Sequence, residues 1–166
     1  MTGSPGSLAV LAGTFREVMA GVCTPVAVVT TMAEGGPYGT TVSAFSSLSL
    51  SPPMVMVALD ERSELLRRLA VGSPLGVNVL RSGQTALARV FARKGPDKFS
   101  GVAWDLDAGA PRLDGGAGWL GGSVSRLVAG GDHVIVLAEV LRADPGTGEP
   151  LTYHARTFGT HVAAAG

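Results

Sequence analysis

Cysteine is nearly absent from this chain: Cys23 is the only one in 166 residues. One thiol cannot close an intramolecular disulfide, and no Cys/His cluster has zinc-ligand spacing. A disulfide-held scaffold and a zinc module are therefore excluded, and no metal site is expected. Charge is scarce too. Charged residues make up 16% of the chain, and 13 basic side chains balance 13 acidic ones, whereas an average domain is about 25% charged. The basic excess or basic stripe of a nucleic-acid binder is missing. No apolar run approaches the roughly 18 residues of a membrane span. Residues 1–13 are small and apolar but lack the Lys or Arg of a signal-peptide n-region, so a cytoplasmic protein is expected.

Glycine and proline, by contrast, are plentiful: 24 and 10, together about one residue in five. They are scattered without a fixed period among long apolar runs, so collagen-like and low-complexity readings fail. The length fits one domain. A β-rich domain with many turns follows. Low charge and a mean hydropathy of +0.33 imply apolar surface that needs covering, and oligomerisation is one way to cover it.

Residues 1–13 read as a flexible arm, 14–160 as the folded domain and 161–166 as a tail. Thr14-Phe15-Arg16-Glu17 has the form of a capping box, predicting a short helix over 14–21. The apolar, β-branched stretches 26–31, 54–59 and 75–80 predict buried strands. So do 119–128 and 133–142, joined by Gly130-Gly131-Asp132. Residues 151–154 give a last strand. Ser63 is placed to cap a helix to Val71, and residues 84–93 form another with Leu87, Val90 and Phe91 on one face. Residues 95–118 read as a long Gly/Asp/Pro-rich loop. Strands and helices do not alternate regularly, which disfavours a doubly wound parallel sheet. A mainly β fold fits better: a β-barrel with short α-helices outside.

No GxGxxG follows a strand, and P-loop and HExxH motifs are missing. Four features remain. The Ser/Thr tract 40–49 offers hydroxyls and turn amides suited to a phosphate or the polar edge of a heterocycle; it also reads as a half-buried edge strand. Asn78 interrupts an apolar strand and needs partners, whether ligand or backbone. Asp132-His133 follows two glycines, so His133 either steers a substrate or serves structure. Arg67-Arg68 reads as a solvated face or a neighbour of a cofactor phosphate. Cys23 has no base beside it and reads as a buried, inert thiol.

The order of these features is more specific than any one of them. The stretch Gly39-Thr40-Thr41-Val42-Ser43-Ala44-Phe45-Ser46-Ser47-Leu48-Ser49-Leu50-Ser51-Pro52-Pro53 is followed by Asn78-Val79-Leu80, Gln84 and Phe91-Ala92. Asp97-Lys98-Phe99, Trp104, Pro111-Arg112-Leu113, Gly131-Asp132-His133 and Pro150-Leu151 come next. Over about residues 14–158 this series resembles the short-chain flavin reductase family. The chain departs from that pattern at Thr24-Pro25, where T-G-V is common, and at Gly121-Gly122, near a frequent cysteine.

The resemblance implies an FMN-binding split barrel, usually a homodimer, that reduces FMN or FAD with NADH or NADPH. Many such proteins supply reduced flavin to a separate monooxygenase. It implies that Thr41, Val42, Ser43 and Ala44 line the isoalloxazine, with Ser47 and Ser49 towards the ribityl phosphate. Asn78, Gln84 and Phe99 would complete the pocket, Lys98 and the Asp60–Ser63 stretch would serve the phosphate, and His133 would sit by the nicotinamide. A flavin-binding split barrel without reductase activity, for storage or as a structural subunit, is the alternative.

Overall fold

The computed structural model describes residues 5–164. Helix α1 (Pro5–Ala20) leads into β1 (Thr24–Pro25), β2 (Ala27–Ala33), β3 (Gly36–Val42), β4 (Phe45–Leu50) and β5 (Pro53–Asp60). A 3-10 turn (Leu66–Arg68) precedes β6 (Pro74–Val79), and a second (Ser82–Gln84) opens α2 (Thr85–Ala92). Then follow β7 (Trp104–Asp107), β8 (Ala110–Leu113), β9 (Gly118–Gly130), β10 (His133–Pro145), β11 (Leu151–His154) and β12 (Thr157–Thr160).

Seven strands form one antiparallel sheet in the order β3-β2-β6-β9-β10-β5-β4. Its two edge strands are consecutive in the chain, joined only by Ser43-Ala44. Two linking residues span at most about 11 Å between the strand ends. A flat seven-stranded sheet would hold its edges about 29 Å apart. The sheet must therefore curl until β3 and β4 meet, and because they are not paired the barrel keeps a seam there.

Strand β2 shows how the core is divided. Residues 26–31 are all buried, as expected for a strand covered on both faces. Ala27 and Val29 join one cluster with Val55, Val57, Val77 and Val136. Val28, on the opposite face, joins Leu80, Ala88, Phe91, Leu113 and Leu151. The first cluster fills the barrel; the second mounts α2 and the β7–β8 hairpin outside it. Three glycines give the room this packing needs. A Cβ on Gly76 would lie 2.3 Å from the Trp119 ring, and one on Gly121 2.6 Å from Ala108. On Gly122 it would lie 2.1 Å from the Glu139 carbonyl, so the departure at Gly121-Gly122 has a steric reason.

The structure differs from the sequence reading in five places. Cys23, read as buried, is exposed, since it lies in the short link between α1 and β1. The helix expected from Thr14 begins at Pro5, so most of the supposed arm is helical; residues 1–4 lie outside the described residues. Proline suits the first helical position, and Thr14, now mid-helix, donates back to the Val10 carbonyl at 3.2 Å instead of capping. The helix expected over 63–71 contracts to the 3-10 turn, because Leu69 is already extended; Leu65 and Leu69 still plug the barrel. The loop 95–118 contains a hairpin turning at Ala108-Gly109, both with positive φ. Finally, residues 157–160 pair with β11, where only the end of the domain was expected. Residues 161–164 have no regular structure, and the last two residues of the supposed tail lie outside the described ones.

Candidate functional site

The seam gathers the exposed part of the Ser/Thr tract. Val42 is buried in the barrel, whereas Ser43, Ala44 and Ser47 are exposed. The Ala58 amide donates to the Ala44 carbonyl at 2.8 Å, fixing the seam against β5. Two residues further along β5, Asp60 faces His133 across the β5–β10 ladder. Two residues of strand are about 7 Å, so Ser43-Ala44, Asp60 and His133 share one end of the barrel. The Glu61 amide donates to the Asp132 carbonyl at 3.1 Å, joining the two turns there.

His133 Nδ1 lies 2.7 Å from Asp132 Oδ1. The imidazole holds the Asp132 carboxyl below its usual pKa range. With Nδ1 engaged, Nε2 is the atom left for a ligand. Arg62 grips Asp60 with both Nε and Nη2, at 3.0 and 2.8 Å, and its own amide adds a third bond at 2.8 Å. These bonds hold the Asp60 carboxyl far below the ordinary range. An ionised Asp60 repels a phosphate. The group in this stretch with the right charge is Arg62, which the sequence reading enclosed but did not single out. The Ser63 amide donates to the Asp60 carbonyl at 2.8 Å, and its hydroxyl faces the Leu66 amide at 3.5 Å.

Other candidates are occupied by the protein itself. Thr41 Oγ1 donates to the Ala88 carbonyl of α2 at 2.7 Å. Lys98 Nζ donates to the Gly39 and Phe91 carbonyls, both at 3.1 Å, and burial pushes its pKa down. One ammonium proton remains for a ligand. Ser49 Oγ accepts from the Ser51 amide at 3.2 Å. Phe99 stacks edge-on between Phe91 and Trp104, its centroid 4.9 and 5.7 Å from theirs.

Asn78 and Gln84 are further from availability. Asn78 is 2% exposed. Its Nδ2 donates to the Val28 and Pro111 carbonyls at 3.1 and 3.3 Å, and its Oδ1 accepts from the Leu113 amide at 2.7 Å. The amide is spent on fastening the β8 strand to β2 and β6. Gln84 accepts from the Arg81 amide at 3.0 Å and donates to the Asp114 carbonyl at 2.9 Å.

None of the candidates lines either of two clefts in the single chain. One, of about 400 Å³, surrounds Arg112, Trp119 and Asp144; the other, of about 540 Å³, lies between α2 and the β11–β12 hairpin. The seam is instead an open rim. It fits a flavin in chemistry: exposed hydroxyls and free main chain suit the polar edge of the ring, and Arg62 and Lys98 suit a phosphate.

Fold and rim define a split β-barrel with exposed hydroxyls and main chain along its seam. Comparison with known proteins narrows this class. The sequence pattern of the "Flavin reductase like domain" matches residues 19–161. The chain is 38% identical over 148 residues to the reductase component of a 4-nitrophenol 4-monooxygenase/4-nitrocatechol 2-monooxygenase of Rhodococcus opacus, covering 89% of this chain and 80% of that one. It is 34% identical over 155 residues to an NADH:FMN oxidoreductase of Rhodococcus erythropolis, covering 89% and 81%. An NADH:FAD oxidoreductase of Streptomyces globisporus, solved with NAD and FAD fragments, superposes with a TM-score of 0.86 at 34% identity, covering 93% and 95%. The chain belongs to the flavin reductase-like family, and its fold is that family's antiparallel split barrel.

Proposed function

We propose that the protein is an NAD(P)H-dependent flavin reductase that passes a hydride to FMN or FAD and supplies the reduced flavin to a separate monooxygenase. The observation that carries this reading is the seam: Ser43 and Ala44 stand exposed at the same end of the barrel as the Asp132–His133 pair, and Ser47 is exposed further along the β4 edge. Named relatives that are reductase components of monooxygenases support the partner.

The bound flavin supplies the hydride acceptor, so the protein needs no nucleophile or general base of its own. What the residues contribute is placement and charge. Hydroxyls and amides of the seam hold the polar edge of the ring, where negative charge develops on reduction. Arg62 and the free proton of Lys98 hold the phosphate. His133, its Nδ1–H held by Asp132, would present Nε2 to the nicotinamide end without moving a proton.

The open rim and α1 bear on assembly. Leu8, Leu11, Phe15 and Val18 on α1 are each 58–64% exposed, an apolar helix surface that a lone chain leaves in water. We read the working form as a homodimer that covers this helix and walls the rim, located in the cytoplasm in keeping with its single thiol. Among the described residues no helix is long and apolar enough to cross a membrane.

Steady-state oxidation of NADH and NADPH with FMN, FAD and riboflavin in air tests the activity, and quenching of flavin fluorescence tests binding. Turnover with at least one flavin is expected. Flavin binding without turnover would leave a storage or structural protein; no binding of any flavin at high protein concentration would overturn the proposal. Light scattering that finds only monomer would remove the dimer.

A further inference from the structure

Leu120 of β9 packs against the core inside the barrel, so its neighbour Trp119 faces outwards. Trp119 is nevertheless only 3% exposed, and its indole Nε1–H is buried with no hydrogen-bond partner among the described residues. Buried polar groups are almost always paired, so this donor marks a place where an acceptor belongs. Trp119 lines a cleft of about 400 Å³ together with Asp105, Arg112, Asp114, Asp144 and Thr147. None of these belongs to the seam.

The direction of the indole follows from its neighbours. A Cβ on Gly76 of β6 would overlap Cη2 and Cζ3, whereas one on Gly121 of β9 would lie 3.3 Å from Cζ2 and Nε1. The edge that bears Nε1 is therefore turned away from β6 and towards β10. Trp119 stands directly opposite Asp144 of β10, and residues so paired carry their side chains on one face, about 5 Å apart. Nε1 is thus aimed at the wall of the cleft formed by Asp144 and Arg112.

That wall is held in place and only partly used. Arg112 Nη1 donates to Asp107 Oδ2 at 3.0 Å and to Asp144 Oδ2 at 2.6 Å. Both Nη1 protons are then engaged, and Nε and Nη2 are left for a ligand. Asp144 keeps its Oδ1. The opposite wall is also preformed: the Gly146 amide donates to the Ala117 carbonyl at 3.1 Å, and a Cβ on Gly146 would overlap Gly116 and Ala117. Three carboxylates, Asp105, Asp114 and Asp144, line the cleft against the one guanidinium of Arg112.

We propose that this cleft binds a free α-amino acid with an apolar side chain. The ligand carboxylate accepts from Trp119 Nε1 and from the open side of Arg112, whose fork suits a planar pair of oxygens. The ligand ammonium donates to Asp144 Oδ1 and faces the other two carboxylates. A simple cation would leave the indole N–H and Arg112 unused, and a simple anion would meet three carboxylates; a zwitterion answers both. The remaining lining, Leu113 and glycine main chain, suits an apolar side chain. The volume lies within the range of small-ligand sites, roughly 300–1,000 Å³.

The full-length protein, without flavin or nicotinamide, is titrated calorimetrically with L-leucine and L-phenylalanine and with the halves of each. The acids 4-methylpentanoate and 3-phenylpropionate lack the ammonium; the amines 3-methylbutylamine and 2-phenylethylamine lack the carboxylate. At least one amino acid binds, and its halves bind roughly tenfold or more weakly. Trp119→Phe weakens the amino acid and its acid about tenfold and leaves the amine unchanged. Asp144→Asn weakens the amino acid and its amine and spares the acid. Melting curves confirm folding; Trp119→Phe breaks no hydrogen bond of the free protein, and if either variant fails to fold the other carries the test. Neither amino acid binding at millimolar concentration overturns the inference. So do halves that bind as tightly as the whole, or variants that bind all three ligands as the unaltered chain does or weaken all three alike.

Discussion

Two polar regions of this barrel look alike in sequence and behave oppositely in the fold. Asn78 lies between β2 and β9, buried, with its amide bonded to three main-chain groups. Ser43 and Ser47 lie at the seam, exposed. A buried polar group must be paired within the protein, or folding bears its desolvation cost. A polar group at an open rim is hydrated in the free protein and can exchange that water for a ligand. Asn78 therefore spends its amide on the fold, while the seam serines remain open to a ligand, although both match the family pattern.

Removing the buried amide breaks the comparison most visibly. Asn78→Ala strands the Leu113 amide and takes one donor from the Val28 and Pro111 carbonyls, the latter still held by the Thr30 hydroxyl at 2.6 Å, and should cost about 3 kcal/mol. That lowers the melting temperature by roughly 6–12 °C for a chain of this size. Urea titration measures the loss; flavin affinity in the folded fraction stays the same. A large flavin defect with normal stability would move Asn78 to the binding side.

The next effect lies at the rim. His133→Ala should lower kcat/KM for the nicotinamide roughly 10- to 150-fold, the worth of one charge-assisted contact of about 1.5–3 kcal/mol. Stability and flavin affinity should hold. Stopped-flow reduction without oxygen checks it, and unchanged reduction kinetics would return His133 to a structural role. Ser47→Ala is smaller: a neutral hydrogen bond of about 1 kcal/mol, or roughly fivefold in flavin Kd, with no change in melting. The smallest effect concerns Asp60. Arg62 depresses its pKa in the folded state, so its contribution is complete above the unfolded value near about 4. The contribution is lost as pH falls towards the folded value. Because the pair is solvent-exposed, Asp60→Asn should leave stability at neutral pH nearly unchanged and only flatten the acid limb of a stability–pH profile.

The same contrast explains what could be read from the chain alone. Strands over 26–31, 54–59 and 75–80 were readable because alternating or continuous apolar residues report their own burial. The β7–β8 hairpin was not, since Asp105, Asp107 and Pro111 weaken its strand pattern and its turn uses Ala108-Gly109 rather than Asn-Gly. Helix α1 hid its start because Thr14 and Glu17 imitate a cap. At the site, the tract and His133 stood out by order along the chain. The occupation of Asn78, Gln84 and Lys98 was hidden because each has a partner 30 to 59 residues away. Arg62 went unnoticed beside a more familiar aspartate.

The strand order also bears on how the chain emerges during synthesis. Strands β2–β3 and β4–β5 are local hairpins, and β6 adds to β2, all before residue 80. Until β9 and β10 are made, β5 and β6 each present a bare strand edge, and the long β9–β10 hairpin is what fills the gap between them. A chain stopped near residue 117 is left with both edges open, the condition that favours edge-to-edge aggregation. The nascent protein is most exposed to misassociation during the interval in which some thirty residues of one hairpin pass through the ribosome.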